Sequence, residues 1–146
     1  MERVLIVSVD RDDDLGIKAG IKGPVVGREE IVKAATKLAI ADPEDSDANA
    51  LFSSVKLYDE LKDKYKVEVA ALTGSRNVGI ESDRNIGEQL RDLLKRFPSD
   101  YAILISDGSE DEHVLPIIQS RIPVLSVKRV IIKQSEQLES TYYKIK

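Results

Sequence analysis

Cysteine and tryptophan are absent from this 146-residue sequence, and histidine occurs once. Without cysteine there is no disulfide, no thiol nucleophile and no cysteine-ligated zinc or iron–sulfur centre. A single histidine excludes paired-histidine metal motifs and leaves His113 as the one residue around which a Ser/His/Asp triad could form. Neither a Gly-Lys-Ser/Thr phosphate loop nor a GxGxxG fingerprint occurs. No apolar run approaches the roughly 20 residues that cross a bilayer. The opening MERVLIVSVD turns polar too soon for a secretory signal. An excess of base is lacking too: 22 Lys and Arg stand against 26 Asp and Glu, a net charge of −4, which argues against general nucleic-acid binding. What is present is 42% apolar residues, enough for one packed domain over residues 1–146.

The acids are unevenly placed. Residues 10–14 (DRDDD), 42–47 (DPEDSD) and 107–112 (DGSEDE) carry four each, with Arg11 as their one base. The remainder holds 21 bases against 14 acids, so the chain reads as a mildly basic body with three acidic spots.

Residues 3–9, RVLIVSV, are a short β-branched run, the signature of a strand buried on both faces. Residues 10–27 hold Gly16, Gly20, Gly23, Gly27 and Pro24, which disfavours regular helix and predicts an unusually long connection, functional or mobile. Ile31, Ala35, Leu38 and Ala39 mark a helix over 28–40. Asp42 and Pro43 suit the start of a second helix, with Ser46 a competing cap, carried by Leu51, Val55 and Tyr58 to about residue 63. Strands follow at 67–72, 101–106 and 124–132. A helix capped by Ser82 and one over 110–120 with Pro116 inside it, forcing a kink or a late start, separate them. The tail, 133–146, is ambiguous: Leu138 and Tyr142 fit either a helix nearing a bilayer or a frayed end.

Alternating strands and helices predict an α/β fold: a three-layer α/β/α sandwich on a mainly parallel, four- or five-stranded Rossmann-like sheet. The expected strand order is second, first, third, fourth. Ligands of such sheets bind beyond the carboxyl ends, where the order reverses. That point lies between the first and third strands, which end at Asp10 and Asp107. The long connection can also cross the sheet, let the first main helix climb back, and so bring DPEDSD beside Asp10 and Asp107.

Clustered carboxylates raise one another's pKa unless a cation or hydrogen bonds intervene. Hard oxygen ligands suit Mg²⁺ or Ca²⁺. The predicted metal set is Asp10, Asp12 and Asp107, with Asp42 and Asp45 in second rank. A strand followed by Asp-x-Asp also opens several Mg²⁺-dependent phosphoryl-transfer sites. Gly74 and Ser75, after the second strand, offer backbone N–H groups to an anion, with Arg11 beside them; the same Thr73-Gly74-Ser75 sequence also reads as a plain turn. Lys18, Lys22 and Arg76 could contact phosphate or simply screen acids. DPEDSD and SEDE read equally well as helix amino termini, Ser109 capping and Glu112 completing a capping box. His113 reads as solvated or capping, with no nucleophile to serve.

The segments VDRDDDLG, GPVVGREE, LAIADPEDSDANA, TGSRNVGIESDRNI, ISDGSEDEHVLPIIQSR and VIIKQSEQLESTYY, in this order, resemble an archaeal family of uncharacterised proteins, domain of unknown function 373. The resemblance covers essentially the whole chain. It implies a soluble amino-terminal domain of a longer protein with membrane-spanning helices, on the cytoplasmic side, and supplies no catalytic residue. The Lys/Glu/Ile-rich, cysteine-free composition fits a thermophile.

Three functions are therefore in play. The first is a cytoplasmic domain that binds a divalent cation, Mg²⁺ foremost, and a small phosphate-bearing ligand. The second is a Mg²⁺-dependent phosphohydrolase or phosphoryl-transfer enzyme with Asp10 as nucleophile or ligand. The third is a homo-oligomerisation module without ligand.

Overall fold

A computed structural model of the chain describes residues 1–130. The end of the fourth predicted strand and the ambiguous tail lie outside the described residues. In chain order the elements are β1 (Arg3–Asp10), α1 (Asp14–Ala19), β2 (Val25–Val26), α2 (Arg28–Ala41), α3 (Ser46–Leu61), β3 (Lys66–Thr73), α4 (Ile80–Arg96), β4 (Tyr101–Ser106), α5 (Asp111–Gln119) and β5 (Val124–Arg129). The sheet order is β2-β3-β1-β4-β5, parallel throughout except for β2, which runs antiparallel to β3. The expected order and layers are thus found, with a fifth, antiparallel edge strand inside the predicted loop.

Both faces of β1 are covered, which is why its sequence does not alternate. Val4 and Ile6 pack toward α2 and α3, against Ile31, Leu38, Leu51 and Val55. Leu5 and Val7 pack toward α4 and α5, against Ile86, Leu90, Val114 and Ile118. All four β1 side chains are fully buried. No described helix is long and apolar enough to cross a membrane.

The connection after β1 corrects one expectation. Glycines made helix improbable there, yet α1 forms, because its ends are well built. Asp13, in the left-handed region, accepts from the Gly16 amide, and Gly20 closes the helix with φ 66°. Leu15 and Ala19, four apart, supply the buried stripe. The chain then passes to the outer edge of β3 and turns back beside it, Val25 opposite Ala71 and Val26 opposite Ala70. The Gly27 amide bonds Val69 O at 2.8 Å. From there α2 climbs and α3 descends into β3, as the length of the connection suggested.

Three predicted caps also differ. Asp42 closes α2, its amide bonded to Leu38 O, and Asp45 caps α3 instead, accepting from Asp47 N. Helix α4 starts at Ile80 after Gly79, which frees Ser82 to reach the carbonyl of Arg11 from a fully buried position. Helix α5 starts after Glu110; Ser109 turns back to Asp107, and Pro116 sits within the helix rather than delaying it.

Candidate metal centre

The carboxyl ends of β1 and β4 and the amino terminus of α3 enclose a cavity of about 180 Å³. Asp10, Asp12, Asp14, Asp47 and Asp107 all line it, so Asp10 and Asp107 do share one rim. Four of these, Asp10, Asp12, Asp14 and Asp47, bring one carboxylate oxygen each within 4.8 Å of the others.

Each arrives by a separate local rule. Asp10 is the last residue of β1 and only 4% exposed. Its two oxygens accept the amides of Asp14 at 3.0 Å and Leu15 at 2.8 Å, folding the start of α1 around the carboxylate. Asp12 is exposed in the intervening turn, and Asp14 opens α1. Asp47 lies four residues before Leu51 and eight before Val55, on the stripe of α3 that faces the sheet.

Burial dominates the electrostatics. It pushes Asp10 up to about 7, over the opposing effect of the Leu15 and Asp14 amides, with Asp12 adding to the rise. It pushes Asp47 up to about 10, helped by the charge of Asp10 and a hydrogen bond with Asp14. Asp14 is raised as well, again chiefly by burial. Like charges this close cannot all ionise unaided. Asp107 differs: burial opposes its ionisation, but hydrogen bonds from Ser46 and Ser109 prevail and hold it below the ordinary range. The Ser46 hydroxyl donates to Asp107 at 2.7 Å, tying α3 to the end of β4.

The other predicted residues have different employment. Asp42 and Asp45 grip the Lys18 ammonium at 2.8 and 2.7 Å, fastening α1 to the α2–α3 turn and raising the pKa of Lys18. They stand outside the four-carboxylate group and position α1, which carries Asp14. Arg11 lines the cavity, but its guanidinium is held by Asp83 at 2.9 Å and Glu110 at 2.8 Å. The Gly74 amide bonds Asp10 O at 2.8 Å, and the Ser75 amide meets Arg11 O at 3.1 Å and the Ser82 hydroxyl at 3.2 Å. Those amides brace the end of β1. A Cβ at Gly74 would collide with the Arg11 carbonyl and Ser82, which explains the glycine. Lys22 lines a separate groove beside Pro24 and Val25, and Arg76 is exposed in the loop before α4. His113 is half exposed, 3.4 Å from Glu112.

Asp14 and Asp47 were not singled out from sequence. Asp47 was legible in principle: counting back by four from Leu51 places it on the buried stripe. Its place in an acidic string suited to a helix start hid it. Asp14 followed from nothing available before α1 was known.

A family model described as "Domain of unknown function (DUF373)" matches residues 3–146. The chain is 52% identical over 147 residues to an uncharacterized protein of Archaeoglobus fulgidus, covering 100% of this chain and 43% of that protein. It is 48% identical over 149 residues to an uncharacterized protein of Methanocaldococcus jannaschii, covering 99% and 40%. The chain thus spans about two-fifths of the length of these relatives. No solved structure matches it.

Proposed function

This chain belongs to the DUF373 family, and on that premise we propose that the domain binds one divalent cation, Mg²⁺ foremost, and through it a small phosphate-bearing ligand. The observation that carries the proposal is the convergence of Asp10, Asp12, Asp14 and Asp47 within 4.8 Å on one partly buried rim. Two of them are raised far above the usual carboxylate range, so the protein without a cation holds protons where it would otherwise hold charge. No ion pair among the described residues involves Asp10, Asp12 or Asp47. A hard cation with oxygen ligands answers that imbalance.

The two alternatives have less behind them. The enzyme reading requires a substrate and a turnover step beyond the cation site, and the Asp10 carboxylate, each oxygen accepting one backbone amide, keeps acceptor capacity for a cation as readily as for attack. A purely structural module gains nothing from burying several uncompensated carboxylates, which cost stability.

Calorimetric titration with Mg²⁺, Mn²⁺ and Ca²⁺ at pH 7.5 tests the proposal. One equivalent binds, with release of protons that depends on buffer ionisation heat. Asp12→Asn weakens binding by about tenfold or more, as loss of a direct ligand should at least match loss of an outer partner. Because Asp12 is exposed, melting of the cation-free variant changes little. A flat titration for all three cations would retire the proposal.

A further inference from the structure

The cavity holds a group that cation binding does not use. Ser8 lies two residues before Asp10 on β1, so both side chains leave the same face of the strand, toward α3. Ser8 is 5% exposed, and its hydroxyl is the one buried side-chain polar atom among the described residues with no hydrogen-bond partner. It lines the same cavity as Asp10 and Asp47. An unpaired buried hydroxyl costs stability, and native structures keep few of them without a reason.

Two further observations restrict what could meet it. The cavity of about 180 Å³ is well below the roughly 300–1,000 Å³ of pockets that enclose drug-sized ligands. At about 30 Å³ per water it has room for a cation, a few waters and one compact anion. Seven carboxylates line it against one cationic side chain, Arg11, whose guanidinium is already engaged by Asp83 and Glu110. No free positive charge on the described lining is left to receive an anion.

We propose that the cavity encloses one tetrahedral oxyanion of the phosphate class, either orthophosphate or the terminal phosphoryl group of a larger molecule. The oxyanion enters only together with the divalent cation, and the Ser8 hydroxyl donates a hydrogen bond to one of its oxygens. This rests on the cation site proposed above and adds the size of the ligand, the order of binding and a recognition residue. The cation supplies the positive charge that the walls lack, and Ser8 supplies a donor among acceptors. A nucleoside or sugar attached to the phosphoryl group would remain outside the cavity.

The test is a four-arm titration of the full chain. Mg²⁺ is added alone; orthophosphate is added to chelator-treated protein; orthophosphate and phenyl phosphate are each added to Mg²⁺-saturated protein. Expected are uptake of Mg²⁺, no uptake of orthophosphate without it, and one equivalent of orthophosphate with it. Phenyl phosphate binding as well as or better than orthophosphate assigns the site to a terminal phosphoryl group; weaker binding assigns it to the free anion. Ser8→Ala weakens orthophosphate binding about tenfold, as loss of a hydrogen bond to a charged group should. It leaves Mg²⁺ affinity within about twofold and does not lower the melting temperature. Ser8→Cys, which nearly keeps the volume but donates weakly, shifts affinity in the same direction and serves if the alanine variant folds poorly. Orthophosphate uptake without Mg²⁺, no uptake with it, or unchanged affinity in both Ser8 variants would overturn this inference alone. Failure of the first arm would remove the cation site as well.

Discussion

Asp47→Asn raises the melting temperature of the cation-free protein and abolishes its response to Mg²⁺. Asp47 is pushed up to about 10 by burial first, then by Asp10, Asp14, Asp45 and Asp107 around it. At pH 7.5 the folded chain must therefore hold a proton there that the unfolded chain releases. Asparagine has nearly the same shape, carries no charge and removes that cost. No ion pair among the described residues is lost, since none includes Asp47. At about 1.4 kcal/mol per pKa unit, discounted for relaxation and partial exposure, the gain is on the order of 2–4 kcal/mol. In a domain of this size that is roughly 5–10 °C. The same substitution removes a ligand oxygen from the four-carboxylate group and weakens cation affinity by at least about 100-fold. Thermal melts with chelator and with Mg²⁺ check both halves. If Asp47 instead served the helix terminus, the variant would melt at or below the wild-type temperature.

Without a divalent cation the protein loses stability as pH rises from 4 through 8. Asp10 at about 7 and Asp47 at about 10 both stand above their unfolded value of 3.8. Below pH 4 both states are protonated at these groups. Above it the unfolded chain sheds protons that the folded chain retains, so each group disfavours folding by up to ~1.4 kcal/mol per pH unit until its folded pKa is passed. The loss due to Asp10 ends near 7, and that due to Asp47 continues toward 10. Asp107 and Asp42 act oppositely: their lowered values contribute stability that is lost only as pH falls below about 4. The cation-free optimum therefore lies near pH 4–5. Saturating Mg²⁺ displaces the protons and adds stability in proportion to its occupancy. The difference between melts with Mg²⁺ and with chelator should be small at pH 5 and large at pH 8. A chelator profile that is flat or rising from pH 5 to 8 would contradict the electrostatics of the site.

Much of the fold was legible because it follows from burial on two faces. The unbroken run from Val4 to Val7 declares a central parallel strand, and right-handed crossovers then leave few orders for the rest. The meeting of Asp10 and Asp107 followed from topology alone. The excess length of residues 10–27 foretold that DPEDSD would reach the same rim, and the bond from Ser46 to Asp107 shows it there. Which acids of that string face inward was not legible. Asp42, Asp45 and Asp47 lie only two or three residues apart along the chain, and a shift of the cap from Asp42 to Asp45 rotates each to a new direction. Helix α1 was hidden for a related reason. Glycine count penalises a helix interior, but Gly20 lies past the end of α1, where a left-handed residue favours the stop. Ser8 gave no signal in sequence, since a serine in a buried strand is ordinary until its hydroxyl is seen to lack a partner.

The most direct measurement is anomalous diffraction from crystals of the full chain soaked in Mn²⁺ as a stand-in for Mg²⁺. The predicted result is one strong peak among Asp10, Asp12, Asp14 and Asp47, within about 2.0–2.6 Å of their carboxylate oxygens, the bond range of hard divalent cations. Density only elsewhere on the surface, or none while all four carboxylates keep their positions, would contradict the account.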